Sequence, residues 1–391
     1  MFLVCEAIAW GMEHVPFNAA FLRTIRLAYP DDTICFYAEE SHSEHVRKQI
    51  GEEFAVSIIW KKLTLPTRHS SFYARLPKDF KNVKFLLNQL NENPQDHVLV
   101  ITGNPSLLWA LKFNVGTKHK DKKIQVIMHG DFYPLTYRKS LRRLISPLYR
   151  ISSLRTALKM VGYKHIQLIV LEEAIRDAVL NEIPLLKNSI SVFEHPIPID
   201  EYPQEANSLS IPIHFGFLGR ATEHKGFSKY LAVATDISQR FPGKTEFDIV
   251  GRIPDRYKRA NFPEMAYLSK IPGTERMTRS EYISRVSRLH FVCMFFDRAY
   301  EFTASGVLLD CIAFGKPIIA TQLTTFKNHA VRYGDIGYLC SPDEIIETIS
   351  SIIQNNDSDR YKKQVFNIRQ ARLSRTPETL AMKYRELVDQ V

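Results

Sequence analysis

At 391 residues, with 16 glycines and no repeated or low-complexity segment, the chain has room for two domains with separate cores, and a solenoid or a disordered protein is excluded. The formal charge of +10 comes without a helix-turn-helix, finger or RNP string, so nucleic acid is not an expected partner. The five cysteines, Cys5, Cys35, Cys293, Cys311 and Cys340, are odd in number, lack metal-ligand spacing and fall mostly inside apolar stretches; they read as reduced core thiols of a cytoplasmic protein.

The opening MFLVCEAIAW is apolar but has no basic leader region or cleavage site, and Glu6 interrupts it. A first buried strand at Phe2 to Ile8 is therefore predicted in preference to a signal peptide. The loop that follows, WGMEHVPFN at 10–18, lets Gly11 make a tight turn and sets Glu13 and His14 ahead of a helix opened by Pro16. Either side chain can take a proton from a substrate hydroxyl, imidazole having a suitable pKa; the alternative is a polar pair that merely caps the helix. Further strands are predicted at Thr33 to Tyr37, Ala55 to Trp60, His97 to Thr102, Ile124 to His129 and Ile166 to Leu171, with helical patterns between most of them. Such alternation implies a parallel sheet with helices on both faces. The acidic pair Asp31-Asp32 follows Pro30 and is more simply a turn than a metal-binding DxD string, so no metal site is predicted. The fifth strand ends in VIMHGDF, with His129 at its carboxyl end and Asp131 two residues on; these contact a bound ligand or only hydrogen-bond a loop.

Between Phe132 and Leu171 stand eight basic residues (Arg138, Lys139, Arg142, Arg143, Arg150, Arg155, Lys159, Lys164) and no acid. Leu141, Leu144, Ile145 and Leu148 fall at helical spacing, so 137–160 predicts a basic amphipathic helix that Pro147 kinks or divides. It can lie on an anionic membrane surface; the plain alternative packs its apolar side on its own domain and leaves the basic side solvated. Nowhere do about twenty apolar residues run together, so no bilayer span is predicted. His195-Pro196-Ile197-Pro198 and the polar run through Ser210 make a linker, after which a second alternation starts at Ile213.

In HFGFLGRATEHKGFSKYL, 214–231, a strand ends in Gly219 and Arg220, and Lys225-Gly226 opens the next helix, so two cations emerge at a strand's carboxyl end. The segment HFVCMFFDRAYEFTASGVLLDCIAFGKPIIAT, 290–321, reads as a buried strand, a small-residue turn, a short helix carrying Asp310, a stop at Gly315 and Pro317, and another strand. Thr303, Ser305 and Gly306 then sit where a helix N-terminus offers backbone N–H groups to an anion. At the end, Thr376-Pro377 starts a last helix whose Leu380, Tyr384, Leu387, Val388 and Val391 form one apolar stripe.

These two segments, with FDIVGRIP at 247–254 and GYLCSPDEIIETI at 337–349, resemble in order and spacing the GT-B glycosyltransferases, in particular the group 1, family 4-like class. The resemblance covers 211–355. It implies two Rossmann-like domains facing across a cleft: an acceptor-binding domain at 1–205, a nucleotide-sugar-binding domain at 206–375 and a terminal helix, 376–391, that crosses back onto the first. It further implies that Arg220 and Lys225 hold the donor diphosphate and that Asp310, where the family usually has Glu, binds the ribose hydroxyls. Arg252, Thr303, Ser305 and Gly306 complete the expected donor set. The family usually places another Glu eight residues before the ribose acid, against the donor sugar; this chain has Phe302 there and Glu301 one residue earlier. Either a one-residue bulge lets Glu301 serve, or the role has been abandoned. A Gly followed by His and Pro in the first loop also resembles inverting GT-B enzymes, where the His is a general base.

The expected activity is metal-independent transfer of a sugar, of hexosyltransferase type, from a nucleotide-diphosphate donor to a glycan or lipid-linked acceptor in cell-surface polysaccharide or glycoconjugate assembly, with no cofactor beyond the donor. The alternative is a catalytically weak GT-B adaptor that binds nucleotide sugar or glycan and supports an active partner. A sugar-nucleotide epimerase shares the fold but needs acids and histidines around the sugar, and Phe302 gives it no support.

Overall fold

The computed structural model describes every residue except 69, 91–95, 116–118, 120–121, 130–131, 133–134, 136–149, 161–164, 199–201, 203–207, 256, 258–261, 272, 274–276 and 390–391. Asp131 and most of the basic segment 137–160 lie outside the described residues. The chain divides into two compact units, Met1–Ile197 with Arg375–Val391, and Pro198–Ser374.

In the first unit β1 (Phe2–Cys5), β2 (Ile34–Ala38), β3 (Ile58–Lys62), β4 (His97–Val100), β5 (Lys123–Met128), β6 (Ile166–Val170) and β7 (Ile190–Val192) form one parallel sheet in the order β3-β2-β1-β4-β5-β6-β7. β1, β2 and β4 are buried at every position, as strands covered on both faces must be, and their sequences FLVC, ICFYA and HVLV are accordingly almost wholly apolar. The helices include α1 (Val15–Ala28), which buries Phe17, Phe21, Leu22 and Ile25, and α2 (Glu40–Ile50).

In the second unit β8 (Ile213–Arg220), β9 (Thr245–Arg252), β10 (Leu268–Lys270), β11 (Phe291–Met294), β12 (Ile318–Thr321) and β13 (Gly337–Cys340) form a parallel sheet in the order β10-β9-β8-β11-β12-β13. Its core gathers Phe215, Phe217, Phe247 and Phe291 around the fully buried Tyr230, on α3 (Phe227–Arg240). Three further helices carry residues used below: α4 (Arg279–Arg288), α5 (Gly306–Phe314) and α6 (Thr324–Tyr333).

In both sheets the strand order switches sides at the first strand, β1 in one and β8 in the other. The connections leaving β1 and β4 therefore diverge, as do those leaving β8 and β11, and each pair opens a crevice at the strands' carboxyl ends. Open α/β sheets bind their ligands in that crevice.

The last helix, α7 (Pro377–Asp389), belongs to the first unit. Tyr384 is fully buried, its ring 5.3 Å from Phe21 and 5.4 Å from Phe193, and its hydroxyl donates to Gln125 Oε1 at 3.0 Å. All five cysteines are free and buried. Among the described residues no helix is long and apolar enough to cross a membrane.

The structure departs from the predicted elements at strand ends. Glu52–Ala55 is a short helix, and β3 begins only at Ile58. β11 stops at Met294, although Phe295 and Phe296 stay buried as the chain bends away. β7 is an additional edge strand of three residues.

Candidate donor and acceptor sites

At the second unit's crevice, β8 ends on Gly219 with φ 85°, a left-handed backbone that disfavours any side chain. A β-carbon there would stand 3.1 Å from Lys225 Nζ and 3.9 Å from Val307, so the Lys225 ammonium lies folded over the strand end beside the first turn of α5. The turn into α3 has to pass close: Gly226 has φ 73°, and a β-carbon on it would reach 2.3 Å from the Phe295 carbonyl at the end of β11. Burial lowers the pKa of Lys225, and the Asp310 carboxylate pulls it back upward. A partly desolvated cation of this kind interacts strongly with an anion, since little hydration is left to remove.

Arg220 and Arg252 are direct partners in the parallel register of β8 and β9, and both are exposed. Two like charges side by side at the rim make a positive field. Ser305 is the N-cap of α5 and its hydroxyl accepts the Leu308 N–H at 3.3 Å, so this side chain is engaged by the helix itself. The Gly306 and Val307 amides, in the first turn, have no intrahelical acceptor, and a β-carbon on Gly306 would meet no described atom within 4 Å. Thr303 precedes this turn, half-buried, its N–H bonded to the Tyr300 carbonyl.

Asp310 sits one turn into α5, where Tyr282 of α4 donates its hydroxyl to Oδ2 at 2.5 Å. Burial pushes the Asp310 carboxyl upward, against the Tyr282 hydrogen bond and the Arg279 and Lys225 charges that favour the ionised form. The acid thus has one oxygen committed to Tyr282. Glu301 is differently placed. Its Oε1 accepts the Thr324 N–H at 2.7 Å, in the first turn of α6, so one oxygen of this carboxylate holds a helix.

At the first unit's crevice Gly11 makes its turn with φ 53°, and its carbonyl meets His42 Nδ1 at 2.7 Å. Glu13 is tied down: burial raises its pKa, but the Arg68 hydrogen bond and charge and the Trp10 N–H outweigh that and lower it overall. A carboxylate held low is a poor base, which leaves His14 as the better of the two expected groups. His14 is the N-cap residue of α1, exposed, with φ 54° and ψ 11° and no side-chain cap bond, so it does not do the capping its position suggests. Its ring stacks on His129 at 4.7 Å, and Phe17 meets both His129 (4.2 Å) and His195 (4.5 Å) edge-on. Burial drives the pKa of His129 well down, with His14 and His195 adding to it, and its Nε2 has no hydrogen-bond partner among the described residues. His129 is therefore a neutral platform under His14.

Sequence reasoning had not singled out three residues of these sites. Tyr282 meets Asp310 from another helix, and Glu6 and Thr102 bond each other beneath His14. Among the described residues no three His, Cys, Asp or Glu side chains are grouped to hold a metal ion.

Comparison with known proteins gives a fold. No family model matches the sequence, and no curated protein matches it. Solved structures match along their whole length. A glycosyltransferase from Rickettsia africae is 14% identical, with a TM-score of 0.69 over 100% of this chain and 98% of its own. HepE from Anabaena, solved with UDP and glucose, is 13% identical with a TM-score of 0.67 over 100% of both chains. WaaG, a glycosyltransferase involved in lipopolysaccharide biosynthesis, is 14% identical with a TM-score of 0.65 over 99% of both. The chain has the GT-B glycosyltransferase fold.

Proposed function

We propose that this GT-B chain is a glycosyltransferase that moves a sugar from a nucleotide-diphosphate donor to a hydroxyl of a glycan or lipid-linked acceptor. The observation that carries the reading is the Lys225 ammonium, partly buried over the glycine end of β8, beside the open first turn of α5 and the Asp310 carboxylate. A cation, free helix amides and a hydroxyl-accepting acid at one switch point match the chemistry of a nucleoside diphosphate.

In the transfer, the anomeric C–O bond breaks and its electron pair goes to the diphosphate. Lys225, Arg220, Arg252 and the Gly306 and Val307 amides stabilise that charge, which is the main electrostatic demand of the step. Asp310 accepts hydroxyl hydrogen bonds from the ribose. The acceptor hydroxyl gives up its proton as it bonds to the anomeric carbon, and His14, exposed at the end of the first loop, takes it.

One observation favours the second reading, a nucleotide-sugar-binding adaptor: one oxygen of Glu301 holds the first turn of α6. Incubation with a panel of labelled nucleotide sugars separates the two. The transferase reading expects release of nucleoside diphosphate, by slow hydrolysis without acceptor; saturable donor binding with no turnover under any acceptor would leave the adaptor standing.

Asp310→Asn keeps the shape and removes the charge that strengthens the ribose contacts. Nucleotide affinity is expected to fall by about 1.5 to 3 kcal/mol, roughly ten- to a hundredfold, and the 2′-deoxy analogue to lose less. Calorimetric titration of both nucleotides checks it; equal losses would show that Asp310 does not read the ribose.

A further inference from the structure

We propose that Glu6 and Thr102 form a positioning relay that fixes the tautomer of His14, so that Nε2 presents its lone pair to the acceptor hydroxyl. The inference rests on the reading of His14 as the base. Glu6 is fully buried at the end of β1, yet its carboxylate is supplied on both sides. Oε1 accepts the Ile8 and Ala9 N–H groups at 2.9 and 3.0 Å, and Oε2 accepts Asn18 Nδ2 at 3.2 Å and the Thr102 hydroxyl at 2.7 Å. An acid removed from water needs that many donors, and the sequence places them from the loop after β1, from α1 and from the end of β4.

The protons follow from the partners. A carboxylate accepts only, so the Thr102 hydroxyl hydrogen is committed to Glu6. Thr102 Oγ1 then has lone pairs alone to offer His14 Nδ1, 3.5 Å away, and the contact is a hydrogen bond only with the ring proton on that nitrogen. Nε2 is left as the acceptor, the reverse of the tautomer that imidazole side chains favour in water. The contact is long, as catalytic contacts commonly are before a substrate tightens them.

The rest of the loop holds the ring to this task. His129 lies flat against it, at 16° between planes. The backbone of His14 sits in the left-handed region, which costs a non-glycine residue energy and is kept where a site needs the side chain aimed. A second string starts from the same carboxylate: Asn18 Nδ2 reaches His42 Nε2 at 2.7 Å, and His42 Nδ1 reaches the Gly11 carbonyl at 2.7 Å. Glu6 thus anchors both the aim of the base and the turn that carries it.

The test is a direct reading of the tautomer by long-range proton–nitrogen correlation in protein with isotope-labelled histidine, above the histidine titration range, with His14→Gln assigning the signal. Wild type is expected to show His14 protonated on Nδ1, and Thr102→Ser to keep that pattern. Thr102→Val removes the acceptor and Glu6→Gln lets the amide donate to Thr102, whose own proton then turns toward Nδ1; both should shift the ring to the Nε2-protonated form. The transfer rate should fall about ten- to a hundredfold in Thr102→Val and stay within roughly threefold in Thr102→Ser, the conservative variant serving also as the check that the fold survives. An Nε2-protonated ring in wild type overturns the relay, as does a Thr102→Val protein with unchanged spectrum and rate. If His14→Gln transfers at the wild-type rate, the base reading fails on its own, and the tautomer measurement keeps the two questions apart.

Discussion

The double variant Arg220→Ala, Lys225→Ala is expected to lose roughly a hundred- to ten-thousandfold in kcat/KM. Each charge-assisted contact to a diphosphate contributes about 1.5 to 3 kcal/mol, and the two cations meet the ligand from separate positions on the strand end and the following turn. The loss should not come from unfolding. Lys225 is held in a partly desolvated position that lowers its pKa, and Arg220 is exposed, so neither truncation removes a contact on which the fold depends. Initial rates on the best donor, measured with the melting temperature of each variant, give the answer. Near-normal kinetics in a folded double variant would sink the donor-site assignment.

Acidification is expected to weaken the first unit more than the second. Burial pushes the imidazoles of His97 and His195, both in the first unit, down to about 3, and that of His290, in the second, to about 4. Their folded pKa values lie below the value of about 6.5 in an unfolded chain, so between these limits the unfolded state binds more protons and stability falls as pH falls. Below about pH 6.5 each such histidine costs about 1.4 kcal/mol per pH unit, so between pH 7.5 and pH 5.5 His97, His195 and the equally buried His129 together take about 4 kcal/mol from the first unit, and His290 takes about 1.4 from the second. Scanning calorimetry across that range should show the two transitions drawing apart. Transitions that keep their spacing, or a first unit that gains stability, would show that these imidazoles do not pay this cost of burial.

The sheets were legible because both faces of a parallel strand are covered. Such strands read as short, continuous apolar runs, and FLVC, ICFYA and IIAT cannot be mistaken for half-exposed strands. What was not legible was where each run stops. Phe295 and Phe296 remain apolar after β11 has ended, because the chain needs buried side chains to anchor its bend as much as to fill a strand. The edge strand β7 is three residues long, too short for any alternation to show.

The donor side was readable for a different reason: Gly219, Arg220, Lys225 and Gly226 are within one turn, so their spacing in the chain is also their spacing in space. Glu6 and Thr102 are 96 residues apart, and nothing local marks them as partners. In the sequence Glu6 looks like an interruption of an apolar strand; in the structure it is the group around which the first loop is hung. Glu301 shows the converse. Its place one residue before Phe302 left open whether it serves a donor sugar, and only the distance to Thr324 shows that one of its oxygens holds the following helix.

The terminal helix gives the chain an unusual order of assembly. Residues 375–391 complete a unit whose other part ends at Ile197, so the second unit is an insertion, bracketed by two pieces of the first. During synthesis the ribosome releases every strand of the first sheet long before it releases Tyr384, the ring that closes over Phe21 and Phe193. The second unit emerges in the interval, with its own sheet and core entire. The first sheet is therefore made before the helix that packs on it, and the rings of Phe21 and Phe193 wait for Tyr384 until the second unit has emerged.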